Sequence, residues 1–267
     1  MQQVKNSICF FVMISVLLLM SCNGPDTKSE STAQDTTAIT ATNDTVPASD
    51  YDPNLDIYNT GGNAIQKLHD SLGIKLYVAT MKSGDSAALH SHPDHAVYLL
   101  QGGKLAVTFQ GKGRQEMNLP TGAGFISGPV VDAGKNIGNT TVKMLVADIY
   151  RPRGSGASSM PGYDPALDPL TVGASFSKKL HDTLNIKFFE AALKPGQSAA
   201  LHAHPDHVIY VLQGGKLAFY PTGEGRKEAE LKAGEGWVGG PLTDSAKNIG
   251  KTTIRVLEID VYRPRGK

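Results

Sequence analysis

An internal repeat constrains this chain more than any other feature of its sequence. The Tyr-Asp-Pro segment that begins at Tyr51 returns at Tyr163, and the Tyr-Arg-Pro-Arg-Gly segment that begins at Tyr150 returns at Tyr262, both displaced by 112 positions. The register holds without a gap, and slightly more than half of the paired positions are identical. A repeat this long and this complete is typical of two copies of one domain of about a hundred residues.

The repeat also sets the domain boundaries. We assign residues 51–154 to a first domain and residues 163–267 to a second, joined by a Gly/Ser-rich linker at 155–162. Two similar domains joined by so short a linker are expected to pack against each other. The sequence leaves open whether whole chains associate further as a homo-oligomer.

The N-terminal residues are typical of an export signal. Lys5 precedes an almost unbroken apolar run from Ile8 to Met20, which has the length of a signal-peptide core. The run ends at Cys22, in a context that resembles the bacterial lipobox, where a lipid is attached to the cysteine. The resemblance implies a lipoprotein signal peptide at 1–21 and a membrane anchor on Cys22. An uncleaved anchor and ordinary secretion are the alternatives.

Residues 22–50 are rich in Thr, Ser, Ala and Asp and contain hardly any large apolar side chains. Such a segment buries too little to offset its ordering entropy, so we predict a disordered tether. Asn23 stands where an Asp would resemble an inner-membrane retention signal. We therefore expect a lipid-anchored protein of the bacterial cell envelope, held at the outer membrane and facing the periplasm or the cell surface.

The charge balance excludes one class of partner, and the local sequence pattern indicates the fold class. The 26 Lys and Arg residues balance 25 Asp and Glu residues without a long basic run, so nucleic acid is not an expected partner. No segment of the copies shows a long apolar repeat at helical spacing. Glycine turns separate short runs of β-branched and aromatic residues, which predict strands at 75–79, 96–100, 105–109 and 142–150. We predict an all-β fold, a sandwich or a small barrel in each copy.

Six of the eight histidines lie in two equivalent hexapeptides. They are His90, His92 and His95 in the first copy and His202, His204 and His207 in the second. Residues two apart in a strand share a face, and the Pro-Asp turn lets the third histidine start the next strand. Three imidazoles are typical ligands of a divalent transition metal such as Fe, Mn, Zn, Ni or Cu. We predict up to one such ion in each domain.

Strand alternation adds an expectation about the strand after the turn. If His95 faces the domain interior with Val97 and Leu99, then Ala96 and Tyr98 face the opposite sheet surface or the second domain.

The histidine spacing resembles the motifs of the cupin superfamily, and the repeat resembles its two-domain bicupins. The first motif is matched by Gly84, His90, His92 and Gly102, and the second by the segment Gly122 to Asn136. The second copy is matched at Gly196, His202, His204, Gly214 and the segment Gly234 to Asn248. The resemblance implies two tandem cupin-like jelly-roll β-barrels, each with a central metal site.

The match departs from the family at two positions of each copy. The family's Glu position holds His95 and His207, and its third His position holds Asp132 and Asp244. Our interpretation is that three imidazoles and one carboxylate remain, with their positions exchanged. As alternatives, the aspartates bind a metal-bound water, orient a ligating histidine, or cap a turn.

Two functions of different class fit these features. The first is a metal-dependent enzyme of oxygenase, isomerase or lyase type that acts on a small molecule, with no catalytic residue assigned. The second is a noncatalytic module that binds metal or a sugar. We expect the remaining histidines, His69 and His181, to be solvent-exposed. The paired arginines of the Tyr-Arg-Pro-Arg-Gly segments are expected to be exposed charges that discourage edge pairing.

Overall fold

The computed structural model describes residues 51–154 and 163–265. The predicted signal peptide, the tether with Cys22 and the linker lie outside these residues. Among the residues that are described, no helix has both the length and the apolar character needed to cross a membrane.

The first copy consists of strands preceded by short helical turns. They are 3-10 helices Pro53–Leu55 and Gly62–Ala64, α1 (Ile57–Thr60), β1 (Ile65–Ser71), β2 (Ile74–Met81), β3 (Ser86–His92), β4 (Asp94–Gln101), β5 (Gly103–Phe109), β6 (Gly113–Leu119), β7 (Gly124–Ser127), β8 (Val130–Asn136) and β9 (Val142–Ile149). The predicted strands correspond to β2, β4, β5 and β9.

The second copy repeats this order of strands. Its elements are 3-10 helix Pro165–Leu167, α2 (Pro169–Val172), β10 (Ser177–Thr183), β11 (Ile186–Leu193), β12 (Ser198–His204), β13 (Asp206–Gln213), β14 (Gly215–Pro221), β15 (Lys227–Leu231), β16 (Gly236–Gly239), β17 (Leu242–Asn248) and β18 (Ile254–Val261).

Each copy folds into two sheets whose neighbouring strands are antiparallel. In the first copy the orders are β1-β2-β9-β4-β7 and β3-β8-β5-β6, and in the second they are β10-β11-β18-β13-β16 and β12-β17-β14-β15. A five-stranded and a four-stranded sheet with this pairing make a jelly-roll barrel. The predicted all-β fold is confirmed.

Strand β4 shows how the sequence alternation separates two hydrophobic cores. Val97 and Leu99 belong to the core inside the first barrel. Ala96 and Tyr98 point the other way, into a core that also contains Phe188 of the second copy. This is the alternation that the sequence predicted.

The core between the barrels joins the two five-stranded sheets. Its members come from both copies, and Leu76, Phe188 and Leu257 are fully buried there. The Tyr98 and Phe188 rings meet edge to face, with centroids 6.2 Å apart. Each such side chain contributes about 1.5–3 kcal/mol by burial. The expected packing of the two domains is therefore present.

The prediction that the paired arginines are exposed is wrong for the first arginine of each pair. Arg151 is 6% exposed and Arg263 is 0% exposed. Arg151 Nη1 lies 2.8 Å from a carboxylate oxygen of Asp206, in the other barrel. Arg263 Nη1 lies 2.8 Å from a carboxylate oxygen of Asp94 in return. Because a buried guanidinium needs acceptors, the two arginines cross between the barrels and form reciprocal ion pairs.

The prediction that His69 and His181 are solvent-exposed is also wrong. Both are half-buried. The backbone N–H of Val238 in the second barrel donates to His69 Nδ1 at 2.6 Å. His181 Nδ1 is buried and has no hydrogen-bond partner among the described residues. His69 thus takes part in the contact between barrels.

The segment that begins each repeat closes around one buried aspartate. In the first copy, Asp56 accepts hydrogen bonds from Tyr51 Oη at 2.9 Å, from Tyr150 Oη at 2.8 Å and from Lys75 Nζ at 3.1 Å. Its other carboxylate oxygen caps α1 by accepting from the Tyr58 N–H at 2.8 Å. These contacts explain why Tyr and Asp recur at the start of both copies.

This cluster predicts acid sensitivity. Burial acts to raise the pKa of the Asp56 carboxyl, but its hydrogen bonds from Tyr150, Lys75 and Tyr51 hold that pKa below its usual range. The resulting stability is present above the unfolded pKa of about 3.9 and is lost as the pH falls through the lower folded value. We expect Asp56→Asn to cost about 1–2 kcal/mol at pH 7 and less at pH 3. Urea unfolding across this range measures the difference.

The matched control is Asp70→Asn, which makes the same chemical change at an exposed position. It should leave the pH dependence of unfolding unchanged. A loss for Asp56→Asn that is the same at both pH values contradicts the linkage.

Candidate metal centres

The six clustered histidines lie on consecutive strands that belong to the two different sheets of each barrel. His90 and His92 are on β3, which ends at His92, and His95 is the second residue of β4. The His90 and His92 ring centroids lie 5.0 Å apart, and the His92 and His95 centroids lie 4.8 Å apart. In the second barrel the corresponding distances, from the central His204 to its two neighbours, are 4.9 and 5.0 Å. The predicted strand, turn and strand therefore bring each triplet together.

Backbone carbonyl groups orient the two outer histidines of each triplet. His90 Nδ1 and His95 Nδ1 each lie 2.7–2.8 Å from the carbonyl oxygen two residues earlier. His202 Nδ1 and His207 Nδ1 make the same contact at 2.7 and 3.0 Å. A neutral imidazole that donates its Nδ1–H carries its lone pair on Nε2. These contacts therefore favour the tautomer in which Nε2 can bind a cation.

A buried aspartate orients the central histidine. His92 Nδ1 lies 3.1 Å from Asp148 Oδ1, and His204 Nδ1 lies 2.9 Å from Asp260 Oδ1. Both aspartates are 0% exposed. A carboxylate behind a histidine is the usual outer partner of a metal-bound imidazole. Neither aspartate was predicted from the sequence, although an aspartate within an apolar strand, repeated in both copies, was an available signal.

Asp132 and Asp244 lie on the other side of the imidazoles. Asp132 Oδ1 is 3.4 Å from His90 Nε2, and Asp244 Oδ1 is 3.3 Å from His202 Nε2. Each aspartate is inside a strand, β8 or β17, directly opposite its histidine. The turn-capping alternative is therefore wrong. Since the aspartates contact Nε2, the nitrogen that would bind a metal, they do not act as the orienting acceptors at Nδ1.

Potential donor atoms converge in both barrels. In the first, those of His90, His92 and Asp132 lie within 4.8 Å of one another. In the second, the same holds for the equivalent residues, which are His202, His204 and Asp244.

The third histidines are placed differently in the two barrels. His95 forms a second group of this kind with His92 and Asp148. His207 is in no such group within the part of the chain that the structure describes. Its Nε2 lies 2.7 Å from the position that a Cβ at Gly239 would occupy. Six of the eight predicted ligands, three in each barrel, thus have converging donor atoms. His95 belongs to a second group that shares His92 with the first, and His207 points towards β16.

Burial and neighbouring charge separate the pKa values within each triplet. Burial, aided by His92, lowers the pKa of His95 to about 4. Burial also acts to lower the pKa of His204, but Asp260 and Glu258 outweigh it and raise that pKa to about 9. The pKa of His92 is raised in the same way, chiefly by Asp148. Within each triplet, the pKa of the central imidazole is thus raised and the pKa values of the outer imidazoles are lowered, chiefly by burial.

Glu258 is a further carboxylate at the second site, and it was not predicted from the sequence. Its Oε2 lies 3.5 Å from His204 Nε2, and its side chain is 11% exposed. Burial raises the pKa of Glu258 to about 7, although His204 acts to lower it. The equivalent residue of the first copy is Val146. Comparing the two copies position by position, and asking where a charge replaces an apolar residue in a strand, was the signal available.

The donor set fits a transition metal ion. Imidazole nitrogens with one or two carboxylates suit Zn, Fe, Mn, Ni or Cu. Solvent reaches both groups, because His90 is 10% and Asp132 13% exposed in their side chains, with similar values for His202 and Asp244. A separate surface cleft of about 620 Å³ beside Phe176 contains none of these residues.

Comparisons with known proteins bear on the fold. No protein-family model and no curated protein matches the sequence. Bacillus subtilis oxalate decarboxylase, which has Mn(II) centres, is similar with a TM-score of 0.51 and 16% identity, over 73% of this chain and 70% of that one. AerE from Microcystis aeruginosa is similar with a TM-score of 0.50 and 13% identity, over 71% and 88% of the two chains. A cupin 2 conserved barrel domain protein from Leptotrichia buccalis matches with a TM-score of 0.45 and 14% identity, over 74% and 88%.

At 13–16% sequence identity, structural similarity establishes the fold alone. The two sheets in each copy, their repeated strand order and the similarity to oxalate decarboxylase and AerE agree with the fold that the resemblance of the histidine motifs implied. The chain therefore has the bicupin fold, with two cupin-like jelly-roll barrels in tandem.

Proposed function

We propose that this protein binds one divalent transition metal ion in each barrel and uses it in metal-dependent chemistry on a small molecule. In the first barrel the ligands are His90, His92 and Asp132, with His95 beside them. In the second they are His202, His204 and Asp244, with His207 as the equivalent neighbour.

The arrangement of the histidine Nδ1 atoms carries this proposal. All six lie 2.7–3.1 Å from a carbonyl or carboxylate oxygen. An imidazole fixed through Nδ1 keeps its ring orientation and gains basicity at Nε2. A histidine that serves only as a polar core residue needs one partner, whereas here two rings in each barrel, His90 with His92 and His202 with His204, converge beside an aspartate.

A metal ion bound here would supply Lewis-acid or redox chemistry at its open coordination positions. The chain itself contributes the fixed imidazoles and the carboxylates of Asp132 and Asp244 beside them. The apolar interior of the first barrel, with Val97 and Val107, excludes bulk water behind the site. The His90 and Asp132 side chains keep 10% and 13% of their surface exposed, so solvent reaches the edge of the site.

In this proposal the barrels act outside the cytoplasm, held to the outer membrane by lipid on Cys22. The apolar run from Ile8 to Met20 and its lipobox-like end support this location. Labelling of cells with a radioactive fatty acid, with Cys22→Ser as control, tests it directly. Lipid incorporation should occur in the native protein and be lost in the variant.

The metal content of the protein tests the central claim. We expect protein purified without chelator to hold close to two equivalents of transition metal by elemental analysis. After treatment with chelator, it should take up two equivalents of Mn(II), Fe(II) or Zn(II) again. Folded protein that carries no metal and cannot be reloaded contradicts the proposal.

Turnover separates an enzyme from a noncatalytic binder. The reloaded protein is incubated with small-molecule candidates, with and without dioxygen, and products are followed by mass spectrometry. An enzyme forms product, and His92→Ala and His204→Ala lower that yield. A binder retains metal while forming none.

A further inference from the structure

The two barrels differ at one pair of facing positions beside the central histidine. Tyr77 and Val146 are cross-strand partners in the first barrel. The equivalent partners in the second barrel are Phe189 and Glu258. The polar side chain of this pair is therefore on β2 in the first copy and on β18 in the second.

In the first barrel the polar group is the Tyr77 hydroxyl, which lies on the Nδ1 side of His92. Tyr77 Oη donates to Asp148 Oδ2 at 2.9 Å and lies 3.3 Å from His92 Nδ1. The Tyr77 hydroxyl group thus donates to the Asp148 carboxylate, which lies on the side of the His92 ring away from Nε2. Val146 presents only methyl groups at the other position, so this barrel has one carboxylate, Asp132, on the Nε2 side.

In the second barrel the polar group is the Glu258 carboxylate, which lies on the Nε2 side of His204. Glu258 Oε2 is 3.5 Å from His204 Nε2. The Phe189 ring is stacked parallel to the His204 ring at 6.5 Å and supplies no hydroxyl group. Among the described residues, no side chain or N–H donates a normal hydrogen bond to the Glu258 carboxylate, although the residue is only 8% exposed. A carboxylate with so little solvent and no hydrogen-bond donor needs a positive charge to offset its burial. That charge can come from a protonated His204 or from a metal ion bound at His204 Nε2.

The position of His207 strengthens this difference. Its Nε2 packs against Gly239, where a side chain would collide. The equivalent position of the first barrel is Ser127, and there His95 remains within 4.8 Å of His92 and Asp148. The second barrel therefore has an added carboxylate beside its central histidine, whereas in the first barrel the third imidazole joins a group of converging donor atoms.

We propose that the two metal centres are inequivalent and that Glu258 is an additional ligand of the second one. This inference rests on the proposed function, because both barrels must bind metal for their centres to differ. The second centre then combines His202 and His204 with two carboxylates, Asp244 and Glu258. The first centre is richer in imidazole. Since carboxylate ligands suit Mn(II) and imidazoles suit Zn(II), Cu(II) and Ni(II), Mn(II) should prefer the second barrel.

Titration of the full chain with Mn(II), followed by electron paramagnetic resonance and equilibrium dialysis, tests the proposal. The titration is done in two backgrounds that each leave one site, His92→Ala for the second barrel and His204→Ala for the first. In the His92→Ala background, Glu258→Val should weaken Mn(II) binding by at least the roughly 10–100-fold that loss of an outer partner costs. In the His204→Ala background the same substitution should change nothing. Glu230→Gln, at an exposed position of β15, controls for loss of one negative charge.

Valine is the residue that the first barrel uses at this position, so the substitution copies a side chain that the fold already accommodates. Glu258→Gln keeps the shape of the side chain and carries the test if the valine variant does not fold. Unchanged Mn(II) affinity in the His92→Ala background overturns the role of Glu258 and leaves metal binding by the barrels standing. Failure of the native protein to bind Mn(II), Zn(II) or Fe(II) overturns both proposals.

Discussion

Arg263→Ala should lower the free energy of unfolding by about 3–5 kcal/mol, the cost of breaking a buried ion pair by removing one partner. Arg263 is fully buried, and its Nη1 lies 2.8 Å from Asp94 in the other barrel. Its Nε donates to the Leu184 carbonyl oxygen at 2.8 Å. The substitution leaves a buried carboxylate with one guanidinium fewer and a carbonyl group without its donor. Urea or thermal unfolding measures the loss.

Arg265→Ala is the matched control for this variant. Arg265 also pairs with an aspartate, Asp206 at 2.6 Å, but its side chain is 53% exposed. Exposed ion pairs contribute about 0–1 kcal/mol, so the control should be much milder. Equal losses for the two variants contradict a special role for the buried crossing between barrels.

The effect of Arg263→Ala should extend to the neighbouring site. Asp94 immediately precedes His95, so the arginine of the second barrel helps to hold the turn that carries a histidine of the first. The contact between barrels and the site geometry are therefore linked through one short segment.

Much of the fold could be predicted because it follows from local pattern. The repeat, the glycine turns and the alternation around Val97 and Tyr98 each follow from periodicity within a few residues. The contacts made by Arg151 and Arg263 could not be predicted in this way. Their partners lie in the other copy, and nothing in the Tyr-Arg-Pro-Arg-Gly segment distinguishes a buried arginine from an exposed one. His69 was misjudged for the same reason.

The candidate metal centres likewise contain residues that could be predicted from the sequence and residues that could not. The histidines could be identified because three of them share one hexapeptide, and Asp132 because the resemblance to a family motif marks its position. Asp148 and Glu258 lie on the last strand of their copies, far in sequence from the histidines that they face. Only the pairing of β4 with β9, and of β13 with β18, brings these strands beside the site. Such residues become visible from sequence only when the two copies are compared for charges within apolar strands.

His92→Ala and His204→Ala should each reduce the bound metal from two equivalents to one, and together they should leave none. His92 belongs to both groups of converging donor atoms in the first barrel, and His204 belongs to the group in the second. Without the central imidazole, no described group of three donors remains within 4.8 Å in that barrel. Elemental analysis of protein reloaded with one metal at saturating concentration gives the stoichiometry. His181→Gln, which changes a histidine outside both centres, should retain two equivalents.

The same two variants should differ in stability. After His92→Ala, Asp148 still accepts a hydrogen bond from Tyr77 Oη at 2.9 Å. After His204→Ala, Asp260 retains, among the described side chains, only the longer contact with Tyr262 Oη at 3.4 Å, and Glu258 loses its cationic neighbour. A buried charged group without a partner costs about 1–3 kcal/mol or more. We expect metal-free His204→Ala to be less stable than metal-free His92→Ala by an amount of that order, and Glu258→Val to recover part of the difference. Equal melting temperatures for the two metal-free variants would show that Tyr77 and Glu258 do not distinguish the barrels in this way.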